Sequence, residues 1–162
     1  VACLLSHALI GASATIDQIF EVSVGAVHGL RQVEFTLLQL IARNPGINQK
    51  QLCEAVGMSA PRMTLVLDRM LDRRLIGPSP VSHDRRCRYV ELTQQGHVLA
   101  LETHQCLSQG EARTLPLTCG EREFLCELLH RIGRRRSEQN YALHQPHVDS
   151  RFHSPEPSQL QP

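Results

Sequence analysis

Lysine is almost missing from this chain: Lys50 is the only one in 162 residues, and every other cation is an arginine. Long apolar runs are missing too. No stretch approaches the roughly 18–20 residues needed to cross a bilayer, so no membrane contact is expected. A basic start, apolar centre and small-residue cleavage site never occur together, which leaves a cytoplasmic location as the expectation. The chain opens on Val1 rather than Met, and whether residues precede it is left open. The six cysteines, at 3, 53, 87, 106, 119 and 126, form no CxxC pair and no finger-like spacing, so a zinc framework is not expected. A domain of this size needs no disulfide scaffold, and the thiols read as reduced, mostly core residues. Of the nine histidines, His144, His147 and His153 fall near the end among Pro, Ser and Gln. His97 and His104 share a helix face two turns apart, too far to grip one ion without other ligands. No metal or cofactor is expected. A Gly-rich phosphate loop and paired strand-tip carboxylates are absent. Gly57-Met58-Ser59-Ala60-Pro61 lacks the second glycine and the preceding buried strand of a nucleophile elbow, so an enzyme is not expected.

What is present is helical periodicity around one stretch, Ser59 to Thr93. Met63, Val66, Leu67, Met70 and Leu71 make one apolar stripe at helical spacing and leave Arg62, Thr64, Leu65 and Arg69 pointing elsewhere. Ser59 can cap this helix, and Pro61 is tolerated in its first turn. After Arg74 the period shortens. Tyr89, Val90, Glu91 and Leu92 alternate as a strand behind the turn-rich run Ser82-His83-Asp84-Arg85-Arg86, and a helix followed by a small basic hairpin is a winged helix. Between Ser59 and Val90 seven arginines face three aspartates, a balance of +4 in a chain whose formal charge is +1. Such a face suits a polyanion, and arginine suits two-pronged contacts to phosphate or guanine. Local pairing of Arg69, Arg73 and Arg74 with Asp68 and Asp72 is the equally weighted alternative.

The rest of the chain fits a single α-rich domain. Leu4 to Val22 reads as a very apolar helix that needs cover, and Gly25 to Arg31 as a connection. Val33 to Arg43 is the next helix, with Phe35, Leu38, Ile41 and Ala42 inward, stopped by Asn44-Pro45-Gly46. Asn48 and Gln51 form a capping box, Ile47 a staple on Leu52, and Gly57 the stop, so Asn48–Val56 and Ser59–Arg74 make a helix-turn-helix whose second helix is the reader. Thr93 caps a helix over Gln94–Gln109. Thr118 and Glu121 open a last one, with Leu125, Leu128, Leu129 and Ile132 in a stripe and Arg134-Arg135-Arg136 at its end, where cations suit the dipole better than they suit DNA contact. From Tyr141 the composition is that of a flexible Pro- and His-rich tail.

Together NPGINQKQLCEAVGMSAPRMTLVLDRMLDRRLI and SHDRRCRYVELTQQG resemble the MarR family of dimeric winged-helix transcriptional regulators. The resemblance is carried by the Asn-Pro-Gly-Ile and NQKQL segment, by MSAP opening the reading helix, by LDRM, and by Asp-Arg-Arg-x-Arg-x-Val-x-Leu-Thr-x-x-Gly over Asp84 to Gly96. It covers about 50 contiguous residues, and the flanking helices fit the family's layout over most of Leu4 to Arg136. It implies one domain over 1–140. Residues 33–93 would be the DNA-binding lobe, about 1–30 and 94–138 the dimerisation helices, and 141–162 the tail. The implied function is a homodimeric, sequence-specific DNA-binding regulator, more often a repressor than an activator. It would meet a pseudo-palindromic duplex and be released by a small aromatic or phenolic effector whose pocket the sequence does not specify.

The first turn of the reader supplies the groove contacts, Ser59, Ala60, Pro61, Arg62 and Thr64, with Arg62 the leading base or phosphate contact and Arg69 a further cation. The resemblance makes Arg85 the minor-groove residue, Asp84 and Arg86 the brace of the wing and Arg88 a phosphate contact. Three departures stand out. Leu65 sits where relatives often carry a basic phosphate contact. Arg74 replaces the helix-ending glycine and must take φ > 0 at some cost. Pro78 and Pro80 shorten the first wing strand. A protein–protein interaction module that has lost DNA binding, and an oxidant sensor using Cys3 or Cys87, are the competing functions; no cationic cluster adjoins Cys3 to favour its thiolate.

Overall fold

The computed structural model describes residues 4–80 and 88–143, with side chains to residue 133. The chain divides into two units, Val1–Thr118 and Cys119–Pro162. It is mainly helical with one small antiparallel sheet: a winged helix-turn-helix with flanking helices. Among the described residues no helix is long and apolar enough to cross a membrane.

In the first unit α1 (Leu5–Phe20) exposes its apolar front half; Leu4, Leu5 and Ile10 are 58, 59 and 70 % exposed, and burial begins only at Ile19 and Phe20. The connection expected over Gly25–Arg31 is mostly helix instead. A π-helical turn, Glu21–Gly25, in which Val24 and Gly25 are buried, carries α1 into a last short turn, α2 (Ala26–His28). The residue that reverses the chain is Gly29, at φ 60°, a left-handed conformation that suits glycine.

Helix α3 (Gln32–Arg43) buries Leu37, Leu38 and Ile41 completely, and with them Glu34. Phe35 and Ala42, expected inward, are only half-buried; Phe35 meets Phe20 edge-on with ring centres 5.7 Å apart. After a two-residue strand β1 (Ile47–Asn48), α4 (Gln49–Val56) opens with the expected capping box. The Asn48 carboxamide oxygen accepts from the Gln51 backbone N–H at 2.9 Å and the Gln51 side chain accepts from that of Asn48 at 3.0 Å. Gly57, at φ 70°, ends α4.

Helix α5 (Ala60–Asp72) buries Met63, Leu67 and Met70 fully, the stripe its sequence spacing requires. Arg74 does adopt φ 56°. The turn is a Schellman motif: Leu75 N–H reaches Met70 O at 2.9 Å, Arg74 N–H reaches Leu71 O at 2.8 Å, and the buried Leu75 and Met70 complete it. Strands β2 (Ile76–Pro78) and β3 (Tyr89–Leu92) follow, in the order β1-β3-β2. Ile76 pairs with Leu92 and Pro78 with Val90, so the proline sits on an edge strand, where its missing N–H costs least.

Helix α6 (Gln94–Thr114) outruns the end expected at Gln109. Gly110 is no stop: a Cβ there would collide with the Ser23 hydroxyl and crowd Ile19, so this glycine lets α6 lie close against the helix carrying them. Gly96 does the same at the other end, where a Cβ would strike the Leu75 carbonyl. The second unit is α7 (Cys119–Leu143), which passes through Arg134–Arg136 without ending, since no proline follows before Pro146. Its Leu125, Leu129 and Ile132 are exposed.

Candidate nucleic-acid interface

The first turn of α5 presents the side chains expected to meet a groove. Ser59, Ala60, Pro61 and Arg62 are all exposed, with Pro61 one residue inside the helix. Arg62 makes no ion pair among the described residues. Ser59 takes the extended backbone of an N-cap, at φ −70° and ψ 149°, yet its hydroxyl makes no cap hydrogen bond. Thr93 differs: its hydroxyl accepts from Gly96 N–H at 3.0 Å and donates to Arg74 O at 2.6 Å. Ser59→Ala is therefore expected to change stability by only a few tenths of a kcal/mol, and Thr93→Ala to cost about 1–2 kcal/mol, in urea denaturation. Equal costs would put Ser59 back in a capping role.

Thr64 is held rather than free. Its hydroxyl donates to Ala60 O at 3.0 Å and accepts from Gln49 Nε2 at 2.8 Å. Gln49 also reaches Ala60 O at 3.3 Å, and its backbone N–H donates to Arg88 O at 2.9 Å. One residue at the start of α4 thus ties together the first turn of α5 and the entry to β3. Sequence reading missed it. Its only signal was a polar side chain just after a cap, a position usually left to solvent.

The other arginines are largely engaged. Behind α5, the fully buried Glu34 carboxylate faces two of them: Oε1 lies 3.0 Å from Arg69 Nη2, and Oε2 lies 3.8 Å from Arg73 Nη1. The Arg69 contact lacks hydrogen-bond alignment, so it is an ion pair rather than an N–H···O bond. Oε2 accepts from Arg31 N–H at 2.9 Å, while the Arg73 guanidinium donates to Gly29 O at 2.9 Å and His28 O at 3.0 Å. Arg69 and Arg73 therefore pair across the fold with α3, not along α5 with Asp68 or Asp72. Asp68 instead takes Arg88, at 2.9 Å. The positive balance read from the sequence is in part consumed inside the lobe, and Arg62 and Arg74 are the arginines of α5 and its turn that stay exposed. Asp84, Arg85 and Arg86, together with Cys3 and Cys87, lie outside the described residues.

The remaining cysteines are less buried than expected. Cys53 and Cys106 are half-buried, whereas Cys119 and Cys126 are exposed on α7. Burial, with a lesser push from Glu54, raises the Cys53 thiol above the usual cysteine range and leaves it a poor thiolate.

Residues 28–86 match the MarR family model. Solved structures agree with the fold over most of the chain. The repressor CouR bound to a 23-mer DNA duplex is 28% identical, with 80% of this chain and 92% of that one covered and a TM-score of 0.71. CouR is also known bound to p-coumaroyl-CoA, at 27% identity, 81% and 92% coverage and a TM-score of 0.67. MarR of E. coli in its apo form is 21% identical, with 82% and 98% covered and a TM-score of 0.66.

Proposed function

We propose that the chain, whose residues 28–86 match the MarR family model, is a winged-helix transcriptional regulator of that family: a homodimeric, sequence-specific DNA-binding repressor released by a small aromatic effector. The observation that carries this reading is the first turn of α5. Pro61 and Arg62 stand outward there while Thr64 and Ala60 are pinned by Gln49, which gives a rigid, cationic helix end of the kind that enters a major groove. CouR, similar at 28% identity, carries such a fold on a duplex. Ser59, Arg62 and Arg88 would supply phosphate or base contacts, and the wing segment Asp84–Arg86 would reach the minor groove through Arg85.

A dimer is supported by apolar surface the first unit leaves uncovered. Leu4, Leu5, Leu9 and Ile10 are all exposed on one helix, and hydrophobic burial at about 25 cal/mol per Å² favours covering them. Residues 33–93 would then be the DNA-binding lobe, with about 1–30 and 94–138 the dimerisation helices. An aromatic effector is supported by the p-coumaroyl group held by CouR. A ligand that prefers a different separation of the two reading helices would release DNA through differential affinity alone. Such a protein works in the cytoplasm.

Selection of bound sites from a random duplex library, with sedimentation of the free protein, tests the reading. The expected outcome is a dimer and a pseudo-palindrome whose half-sites lie about one helical turn, roughly 34–36 Å, apart, bound with a steep salt slope. A monomer with no enriched sequence would favour an interaction module instead.

A further inference from the structure

Among the described residues, large apolar side chains that stay exposed lie on Leu4 and α1, on the π-helical turn that follows (Val22), on α2, α6 and α7, and on Leu117 just before α7, with one exception. From Leu30 to His97 only Leu65 is among them, 67 % exposed on the outward side of α5. It stands one turn after Pro61 and Arg62 and one turn before Asp68, which holds Arg88. A lone leucine between two cations is too small a patch to hold a protein partner. It has the size and place of a base contact between phosphate contacts, and apolar side chains in a major groove meet the 5-methyl group of thymine.

We propose, resting on the DNA-binding reading above, that Leu65 is a specificity-determining residue that selects thymine in each half-site through the C5 methyl. A basic side chain at this position would add affinity for any sequence; leucine adds none to phosphate and rewards one base. Thr64 beside it cannot take over the role by its hydroxyl, which is already held between Ala60 O and Gln49.

The test uses the full chain and its selected duplex, with thymines replaced one at a time by deoxyuridine, which removes the methyl and leaves base pairing unchanged. At one position per half-site the wild type is expected to lose about fourfold in affinity, the effect of one unburied methyl. Leu65→Ala should bind the thymine and deoxyuridine duplexes equally, and Leu65→Met should restore part of the difference. Since Leu65 lies outside the core, both variants should melt close to wild type. A selected duplex bound equally well with deoxyuridine at every position, or a Leu65→Ala protein that still senses the methyl, overturns the assignment while the DNA-binding reading stands. Failure of the wild type to select any duplex overturns both.

Discussion

Replacing Glu34 by alanine is expected to remove about 3 kcal/mol of folding stability, measured by urea denaturation. Breaking a buried ion pair from one side costs about 3–5 kcal/mol because the partner charge is left without compensation. Glu34 is 0 % exposed and faces two guanidinium groups, but Arg69 and Arg73 are 40 and 35 % exposed, so water can take over part of the lost interaction. That places the expectation at the low end. Two further losses come with the carboxylate. The Arg31 N–H at the start of α3 loses its acceptor, and Arg73, which holds the His28 and Gly29 carbonyls, loses its countercharge. Glu34→Gln keeps an acceptor for Arg31 N–H and removes only the charge, so it should fall between wild type and Glu34→Ala. Costs below 1 kcal/mol for both variants would mean that these pairs behave like surface ion pairs, with little net value. The consequence for function is positional. The same two arginines project from α5, so the carboxylate fixes α5, the proposed reading helix, against α3 and against the turn that follows α2.

This cluster marks where sequence reading stops. Local rules were legible: the α5 stripe, the Asn48–Gln51 box, the Gly57 stop, the proline-limited strand β2 and the left-handed Arg74 all follow from periodicity, caps and backbone sterics within a few residues. Glu34 was not legible as an ion-pair partner: its spacing to Leu37, Leu38 and Ile41 is that of the core face, but nothing in its sequence neighbourhood shows that α5 brings two arginines to it. Arg69 and Arg73 had acidic neighbours in sequence, Asp68 and Asp72, yet their partner, like that of Arg88, was settled by tertiary geometry. Gly25 and Gly110 looked like breaks in helices. One is buried within the helical run and the other serves a close helix approach, since a glycine's sequence context does not reveal whether its missing Cβ frees the backbone or makes room for a neighbour.

Arg62→Ala is expected to weaken binding to the selected duplex by about 1–3 kcal/mol, roughly 5- to 160-fold, with folding stability unchanged. The side chain is exposed and unpaired among the described residues, so its removal leaves no buried charge and breaks no brace. The form of the loss identifies the contact. If Arg62 grips a guanine with both prongs, sequence preference should relax at one position per half-site and the salt slope should stay close to wild type, while Arg62→Lys should recover little, because an ammonium cannot reproduce the fork. If Arg62 meets phosphate, affinity should fall evenly across sequences, the slope should drop by about one per contact, and lysine should recover most of it. Arg88→Ala provides the contrast. Arg88 already holds Asp68 at 2.9 Å, and its loss would leave an unpaired carboxylate facing the duplex. Its defect should therefore exceed that of one missing phosphate contact, and Asp68→Asn in the same chain should relieve part of it.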